Sequence, residues 1–398
     1  MVDYRSLARE FGTPLFVVDE QILRQNAQRY LTTFRKLHPQ TDIAYACKAL
    51  CVKEVLRVVG DEGCSFDVSS GGEVYTALKA GCDPAKMYFH GNNKSKAELK
   101  MALENNVGFF MVDTIQEIIN LDEIAKGLSK TAQIIMRVNP GIEAHTHEYI
   151  KTGCLDSKFG VPQNEIEQAV KEIKTRKNLN LVGFHAHIGS QIFDVKPFVD
   201  ETKLLVKLAE KYGVKIISLG GGIGIVYTKA DKPPTIKEFA EAITAVVKGK
   251  DIKLILEPGR SIVGPAGITI YTVGAIKDIP KIRKYVLIDG GMADNPRPIL
   301  YQAKYDAFVV GKEDQKPAEE VTIAGRFCES GDVLISDIKL PKIEVNDLLA
   351  VSGTGAYNYS MASNYNRVPR PAMVMVNNGQ AKVIVRRETY EDLVRNDL

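Results

Sequence analysis

Between residues 43 and 257 the chain alternates two textures. Short apolar or β-branched runs occupy residues 43–47, 65–68, 87–90, 109–112, 133–138, 181–188, 215–219 and 253–257. Between them lie amphipathic stretches such as 94–105, 114–126, 165–174, 195–212 and 235–247. Strand-like runs that alternate with helical segments predict βαβ units and a parallel sheet. Eight such strands is the number that closes a parallel barrel, so the pattern predicts a (β/α)8 barrel over residues 22–265.

Beyond about residue 265 the texture changes. Runs at 268–276, 284–288, 307–310, 321–324, 348–352, 372–376 and 381–386 are strand-like and are joined by turns, with helical signal mainly near 357–364. This predicts a mostly antiparallel β domain over residues 266–398. Residues 1–21 are assigned to it as well, through a strand at 15–19 that crosses back into that sheet.

Composition narrows the function classes. Fifty-two basic against forty-nine acidic side chains leave a charge of +3, too balanced for an electrostatic nucleic-acid binder. The six cysteines contain no C-x-x-C pair and are too few for a disulfide framework in so long a chain, which argues against both a zinc ribbon and a stapled fold. The least polar stretch, 262–276, is broken by Gly264, Pro265 and Gly267 and is too short to span a bilayer. The charged first residues lack the apolar core of a secretory signal. A soluble cytoplasmic protein that binds neither membrane nor nucleic acid is the expectation.

In a parallel barrel the active site forms where strands end and βα loops begin. Seven of the eight runs end in ionisable or glycine residues: Lys48, Asp67, His90, Arg137 with Asn139, His185 with His187 and Ser190, Gly220-Gly221-Gly222, and Glu257-Pro-Gly259-Arg260. Lys48 reads either as a strand-end lysine reaching water, or as an amine that partial desolvation turns into a nucleophile towards carbonyls. The three glycines read as a tight turn or as a cradle whose backbone N–H groups approach a phosphate. Glu257, buried at a strand end, needs a cationic partner: Arg260, Lys253, or the protonated nitrogen of a pyridine ring. His185-x-His187 has a spacing that zinc sites use on strands, and His145-x-His147 repeats it in a loop. No identifiable carboxylate and histidine set completes a coordination sphere, so no metal is expected. His187 against a flat ring and Ser190 donating to a phosphate fit the adjacent glycines better. His38, before a proline, reads as solvated.

In the second domain, prolines on both sides of Arg297 stiffen its backbone and would hold the guanidinium for a carboxylate, a surface turn being the alternative. Phe327-Cys328-Glu329-Ser-Gly-Asp332 sets a thiol beside an acid, either inert filling or a proton donor to a carbanion. Gly355-Ala-Tyr357 places a phenol near a phosphate or in aromatic packing.

Jointly these motifs resemble the fold-type III pyridoxal-phosphate decarboxylases. The resemblance rests on Tyr45-Ala-Cys-Lys48-Ala, Val68-Ser-Ser-Gly-Gly-Glu73, His90-Gly-Asn-Asn-Lys-Ser95, His187-Ile-Gly-Ser-Gln191 and Gly220-Gly-Gly-Ile-Gly224. It continues through Glu257-Pro-Gly-Arg260, Asp294-Asn-Pro-Arg-Pro298, Cys328-Glu-Ser-Gly-Asp332 and Gly355-Ala-Tyr357, in family order over nearly the whole chain. It implies that Lys48 carries pyridoxal 5'-phosphate, that His187 stacks on its ring and that Glu257 pairs with the ring nitrogen. Asp67 joins the cofactor set, and Ser190, Gly221, Gly222, Gly259 and Arg260 hold the phosphate. Arg260, Arg297 and Tyr301 are implied for substrate carboxylates, Glu329 for the distal amino group, Tyr357 for both cofactor and substrate, and Cys328 for proton donation. The implied reaction removes CO2 from meso-2,6-diaminopimelate to give L-lysine, the last step of lysine biosynthesis. The implied assembly is a homodimer with the site at the interface, the Cys328–Glu329 segment coming from the other subunit. Phe327 stands where relatives often carry a second cysteine. Ornithine, lysine or arginine as substrate is the main rival, because relatives that act on simple diamino acids usually have Asp after the cysteine, where this chain has Glu329.

Overall fold

The computed structural model describes residues 2–142 and 157–398. It divides into two compact units: Arg24–Gly224 with Lys232–Ile262, and Met1–Leu23 with Ile225–Asp231 and Val263–Leu398. The first strand, β1 (Leu15–Asp19), belongs to the second of these.

The other unit is a closed barrel of eight parallel strands. They are β2 (Thr41–Ala46), β3 (Ser65–Val68), β4 (Met87–Phe89), β5 (Phe109–Val112), β6 (Ala132–Arg137), β7 (Leu179–His185), β8 (Ile216–Ser218) and β9 (Lys253–Leu256). Closure sets Ile43 of β2 opposite Leu256 of β9. Ala44, Tyr88, Met111, Ile135 and Ile255 form one buried cluster, each from a different strand. Each large side chain buried in this way contributes about 1.5–3 kcal/mol relative to exposure.

Helices Lys96–Glu104, Ile115–Gly127, Ile166–Lys174, Lys196–Tyr212 and Ile236–Val247 fill the connections expected from the periodicity. Capping boxes set where two of them begin. Ser95 accepts from the Glu98 N–H while the Glu98 carboxylate accepts from the Ser95 N–H, and Thr235 and Glu238 do the same. Helices Lys53–Asp61 and Gly71–Lys79 are additional; the hydroxyl of Ser70 caps the latter by accepting from the Glu73 N–H.

The second unit is a nine-stranded sheet. Its remaining strands are β10 (Gly267–Ile279), β11 (Arg283–Ile288), β12 (Ala307–Val309), β13 (Glu319–Ala324), β14 (Val333–Leu340), β15 (Leu348–Ser352), β16 (Ala372–Asn377) and β17 (Gln380–Val385). They run in the order β14-β13-β11-β10-β1-β16-β17, with β15 pairing β10 and β12. Pairing is antiparallel except for β1 with β16 and β11 with β13. The (β/α)8 barrel and the mostly antiparallel sheet are therefore both as the pattern predicted. The helical signal near 357–364 is a correction. Only the short 3-10 turns Tyr359–Met361 and Tyr365–Arg367 form there, because Tyr357 (φ 64°) and Asn366 (φ 52°) are left-handed and break any longer helix. Among the described residues, no helix is long and apolar enough to cross a membrane.

Candidate active site

Barrel closure gathers the strand-end residues. β2 stops at Ala46, and Lys48 stands in the 3-10 turn Cys47–Ala49 that follows, not in the strand itself. Its Nζ donates to Asp67 Oδ2 over 2.8 Å; the lysine side chain is 43% exposed, whereas Asp67 is fully buried. One end of this ion pair is thus anchored and the other stays accessible. Cys47, one residue earlier, is buried.

Glu257 follows β9 and is buried. Its Oε1 accepts from Ser218 Oγ (2.7 Å) and lies 3.1 Å from His90 Nε2, while Oε2 lies 3.3 Å from His185 Nε2. Burial works against its charge, but the interactions with the His90 and His185 rings outweigh burial and hold the carboxyl well below its usual range. Burial lowers His185 to about 4, and burial together with the Lys48 and Arg137 charges pushes His187 well down. Both rings are therefore neutral near pH 7 beside an ionised carboxylate. Arg260 donates to Ser190, and Lys253 lies 3.6 Å from Asp42.

The glycine segment after β8 passes close to its neighbours. Gly222 has φ +120°, and a Cβ there would lie 2.3 Å from the Gly189 carbonyl oxygen. A Cβ on Gly221 would lie 2.2 Å from the Glu257 carbonyl oxygen, and one on Gly220 would lie 2.6 Å from His187 Nδ1. Only glycine fits this approach. Arg260, buried, donates from Nη2 to Ser190 Oγ over 2.9 Å. Gly259 leaves room against Ala46 and Ala49, whose Cβ atoms would each sit 3.0 Å from an added Cβ.

The remaining expected residues lie in the second unit. Arg297 opens the short helix Arg297–Tyr301 and is buried, so it is not part of a surface turn. No carboxylate among the described residues pairs with it, and its Nε has no hydrogen-bond partner there. Cys328 and Glu329 are exposed on a turn organised by Asp332, whose carboxylate accepts from the N–H groups of Met292 (2.6 Å) and Phe327 (2.9 Å). The Cys328 N–H donates to Asn366 Oδ1 over 3.0 Å. Tyr357 is half-buried at its left-handed turn, and Tyr301 closes the Arg297 helix.

Residues 24–264 match the family described as "Pyridoxal-dependent decarboxylase, pyridoxal binding domain". The whole chain aligns at 47% identity with 94% of the diaminopimelate decarboxylase of Bacillus subtilis. A Synechocystis diaminopimelate decarboxylase is 46% identical over 98% of this chain and 88% of its own. A crystal structure of diaminopimelate decarboxylase from M. jannaschii, in complex with L-lysine, superposes with a TM-score of 0.93 at 39% identity, covering 100% of this chain and 94% of the other. The chain belongs to the diaminopimelate decarboxylase family.

The barrel residues fit the cofactor of a diaminopimelate decarboxylase. The Gly220–222 approach is a cradle that any Cβ would fill. Beside it stand a buried guanidinium and a serine hydroxyl, chemistry suited to a phosphate. The buried carboxylate, held by Ser218 and the His90 and His185 rings, suits a protonated pyridine nitrogen. His90, His185 and Glu257 bring ligand atoms within 4.8 Å of one another, so the carboxylate and histidine set not found in the sequence does exist, with His90 rather than His187 as second imidazole. In this family it reads as the support of Glu257. His145 and His147 lie outside the described residues. His38 is not simply solvated, since its Nε2 lies 2.7 Å from the Ile252 carbonyl oxygen.

Three participants had only weak signals. His90 and His185 were visible as strand endings, but nothing in their spacing tied them to Glu257. Ser218, two residues before the glycines, looked like ordinary strand sequence.

Proposed function

We propose that this chain decarboxylates meso-2,6-diaminopimelate to L-lysine and CO2 with pyridoxal phosphate held by its barrel, and so performs the last step of lysine biosynthesis. The observation that carries this reading is the pairing of an accessible Lys48 amine, held on Asp67, with a buried ionised Glu257 in a barrel of this family.

Lys48 is the residue that would carry the cofactor, with Asp67 Oδ2 taking the hydrogen bond of Nζ and fixing where the amine stands. Ser190, Gly221, Gly222, Gly259 and Arg260 would hold the phosphate, and His187 would lie against the ring. When bound, pyridoxal phosphate supplies an electron sink for the pair left behind by departing CO2. Glu257 would keep a proton on the ring nitrogen, and His90, His185 and Ser218 hold Glu257 charged for that task. Arg297 and Tyr301 take a substrate carboxylate, Glu329 reads the distal amino group, and Tyr357 contacts substrate and cofactor. Cys328 Sγ delivers a proton to the carbon that has lost CO2. Arg260, committed to Ser190, serves the phosphate first and a substrate carboxylate second.

Cys328 and Glu329 are exposed in the single chain, which suits donation to a second copy's barrel in a homodimer. Five free thiols among the described residues suit a reducing, cytoplasmic compartment. The test is CO2 release from meso-diaminopimelate beside L-ornithine, L-lysine and L-arginine, with and without added pyridoxal phosphate. Cofactor-dependent release from diaminopimelate alone is expected. Release from a simple diamino acid would overturn the roles of Arg297 and Glu329, and release from none would overturn the activity.

A further inference from the structure

Arg297 is 4% exposed, yet among the described residues its charge is met by rings rather than by an acid. Its Cζ lies 4.9 Å from the centre of the Tyr227 ring and 5.5 Å from that of Tyr305. The two rings stand edge to face, 5.1 Å apart at 76°, and form a corner around the guanidinium. Nη1 donates to the Tyr305 hydroxyl, which reaches the Asn358 carboxamide at 3.5 Å. Tyr227 is itself fixed at its backbone. Its N–H donates to Asp231 Oδ2 over 2.9 Å, and its carbonyl accepts from the Asp306 N–H over 3.2 Å. It lies in the short segment Ile225–Asp231 that joins the β unit although its flanking residues belong to the barrel.

Two neutral rings do something a carboxylate partner would not. An acid would hold Arg297 equally well but would cancel its charge and occupy its donors. Ring faces attract the cation through their quadrupoles and leave the charge available for a ligand. The Tyr227 ring limits the tilt of the guanidinium plane and the Tyr305 hydroxyl limits its rotation. A planar, pre-oriented fork is what bidentate carboxylate recognition needs.

We propose that Tyr227 and Tyr305 are specificity-determining positioning residues, an aromatic corner that keeps Arg297 charged, buried and aimed at the substrate's second carboxylate. This rests on the reading that Arg297 binds that carboxylate. It assigns the preference for a dicarboxylate to residues that do not themselves touch the substrate.

The test compares holoenzymes carrying Tyr227→Leu, Tyr227→Phe, Tyr305→Phe and Arg297→Lys. Two quantities are read: kcat and KM for meso-diaminopimelate, and the inhibition constant of D-lysine, which keeps the reacting end of the substrate and lacks the far carboxylate that the product L-lysine retains. Tyr227→Leu is expected to raise KM about tenfold while kcat and the D-lysine constant stay within about twofold, the signature of lost uniform binding. Tyr227→Phe keeps the ring and is expected to restore the wild-type KM. Tyr305→Phe, which loses a single oxygen, is expected to raise KM about threefold or more and carries the test if Tyr227→Leu does not fold. Equal changes in KM and in the D-lysine constant, or a Tyr227→Phe variant as impaired as Tyr227→Leu, would overturn the proposal. If Arg297→Lys leaves the preference for diaminopimelate over D-lysine untouched, the Arg297 reading itself falls. If Arg297→Lys removes that preference and the tyrosine variants keep it, only the aromatic corner falls.

Discussion

Replacing Arg297 by methionine should push stability and activity in opposite directions. The guanidinium is buried and no acid among the described residues pairs with it, and the penalty for taking such an ion out of water is several kcal/mol even after relaxation. Against this stand two ring contacts, each worth up to about 2 kcal/mol when desolvated, and one hydrogen bond from a charged donor, worth about 1.5–3 kcal/mol. Methionine keeps most of the volume and regains about 0.3–1.5 kcal/mol from sulfur–ring contact. The balance ranges from neutral to about 2 kcal/mol in favour of the variant, a melting temperature unchanged or raised by a few degrees. Activity takes the opposite course. Truncating one member of a buried charge pair costs about 2–5 kcal/mol, so kcat/KM for diaminopimelate should fall about 30-fold to 1,000-fold or more. Thermal denaturation of the cofactor-loaded protein, run beside CO2 release, reads both. A variant that melts several degrees lower with a proportionate loss of activity would refute the claim that Arg297 is held ready for an anion rather than for the fold.

Gly222→Ala must adopt φ near +120° and place its Cβ against the Gly189 carbonyl, so cofactor affinity, read by absorbance titration, should fall tenfold or more; unchanged affinity would remove the glycine cradle from the phosphate site. Burial raises Glu73 to about 7 from 4.5, although the Ser69 N–H opposes the shift. Between those values the unfolded chain is ionised while the folded one holds its proton, so stability falls as pH rises through that window. Glu73→Gln should therefore be up to about 3 kcal/mol more stable than wild type at pH 8 and no more stable at pH 4, and an equal difference at both pH values would contradict this. Cys328→Ala should slow lysine formation while leaving the cofactor's absorbance in place, and normal turnover in that variant would show that another group delivers the proton.

The barrel was legible because each of its strands is a short apolar run bounded by turns, and the observed spans match the expected ones within two or three residues. β14 was missed. Ser336 and Asp337 interrupt its apolar run, and Asp337 takes a left-handed φ of 53° next to a shift in register with β13. Site chemistry was legible at strand ends one residue at a time: Lys48, Asp67, Glu257 and the glycines were all marked by position. Their partnerships were not. His90, His185 and Glu257 are far apart in the chain, and only closure of the barrel brings them together. Arg297 was marked by its prolines, but Tyr227 and Tyr305 look like ordinary core aromatics until their rings are seen to meet the same guanidinium.

The most direct test of the central claim is to reduce the cofactor-loaded, full-length protein with borohydride, digest it and locate the modified lysine by mass spectrometry. A pyridoxyl group on Lys48, with loss of activity in proportion to labelling, is the predicted result. Labelling of another lysine, or of none in a protein that nonetheless releases CO2, would contradict the assignment of Lys48 and with it the reading of the barrel site.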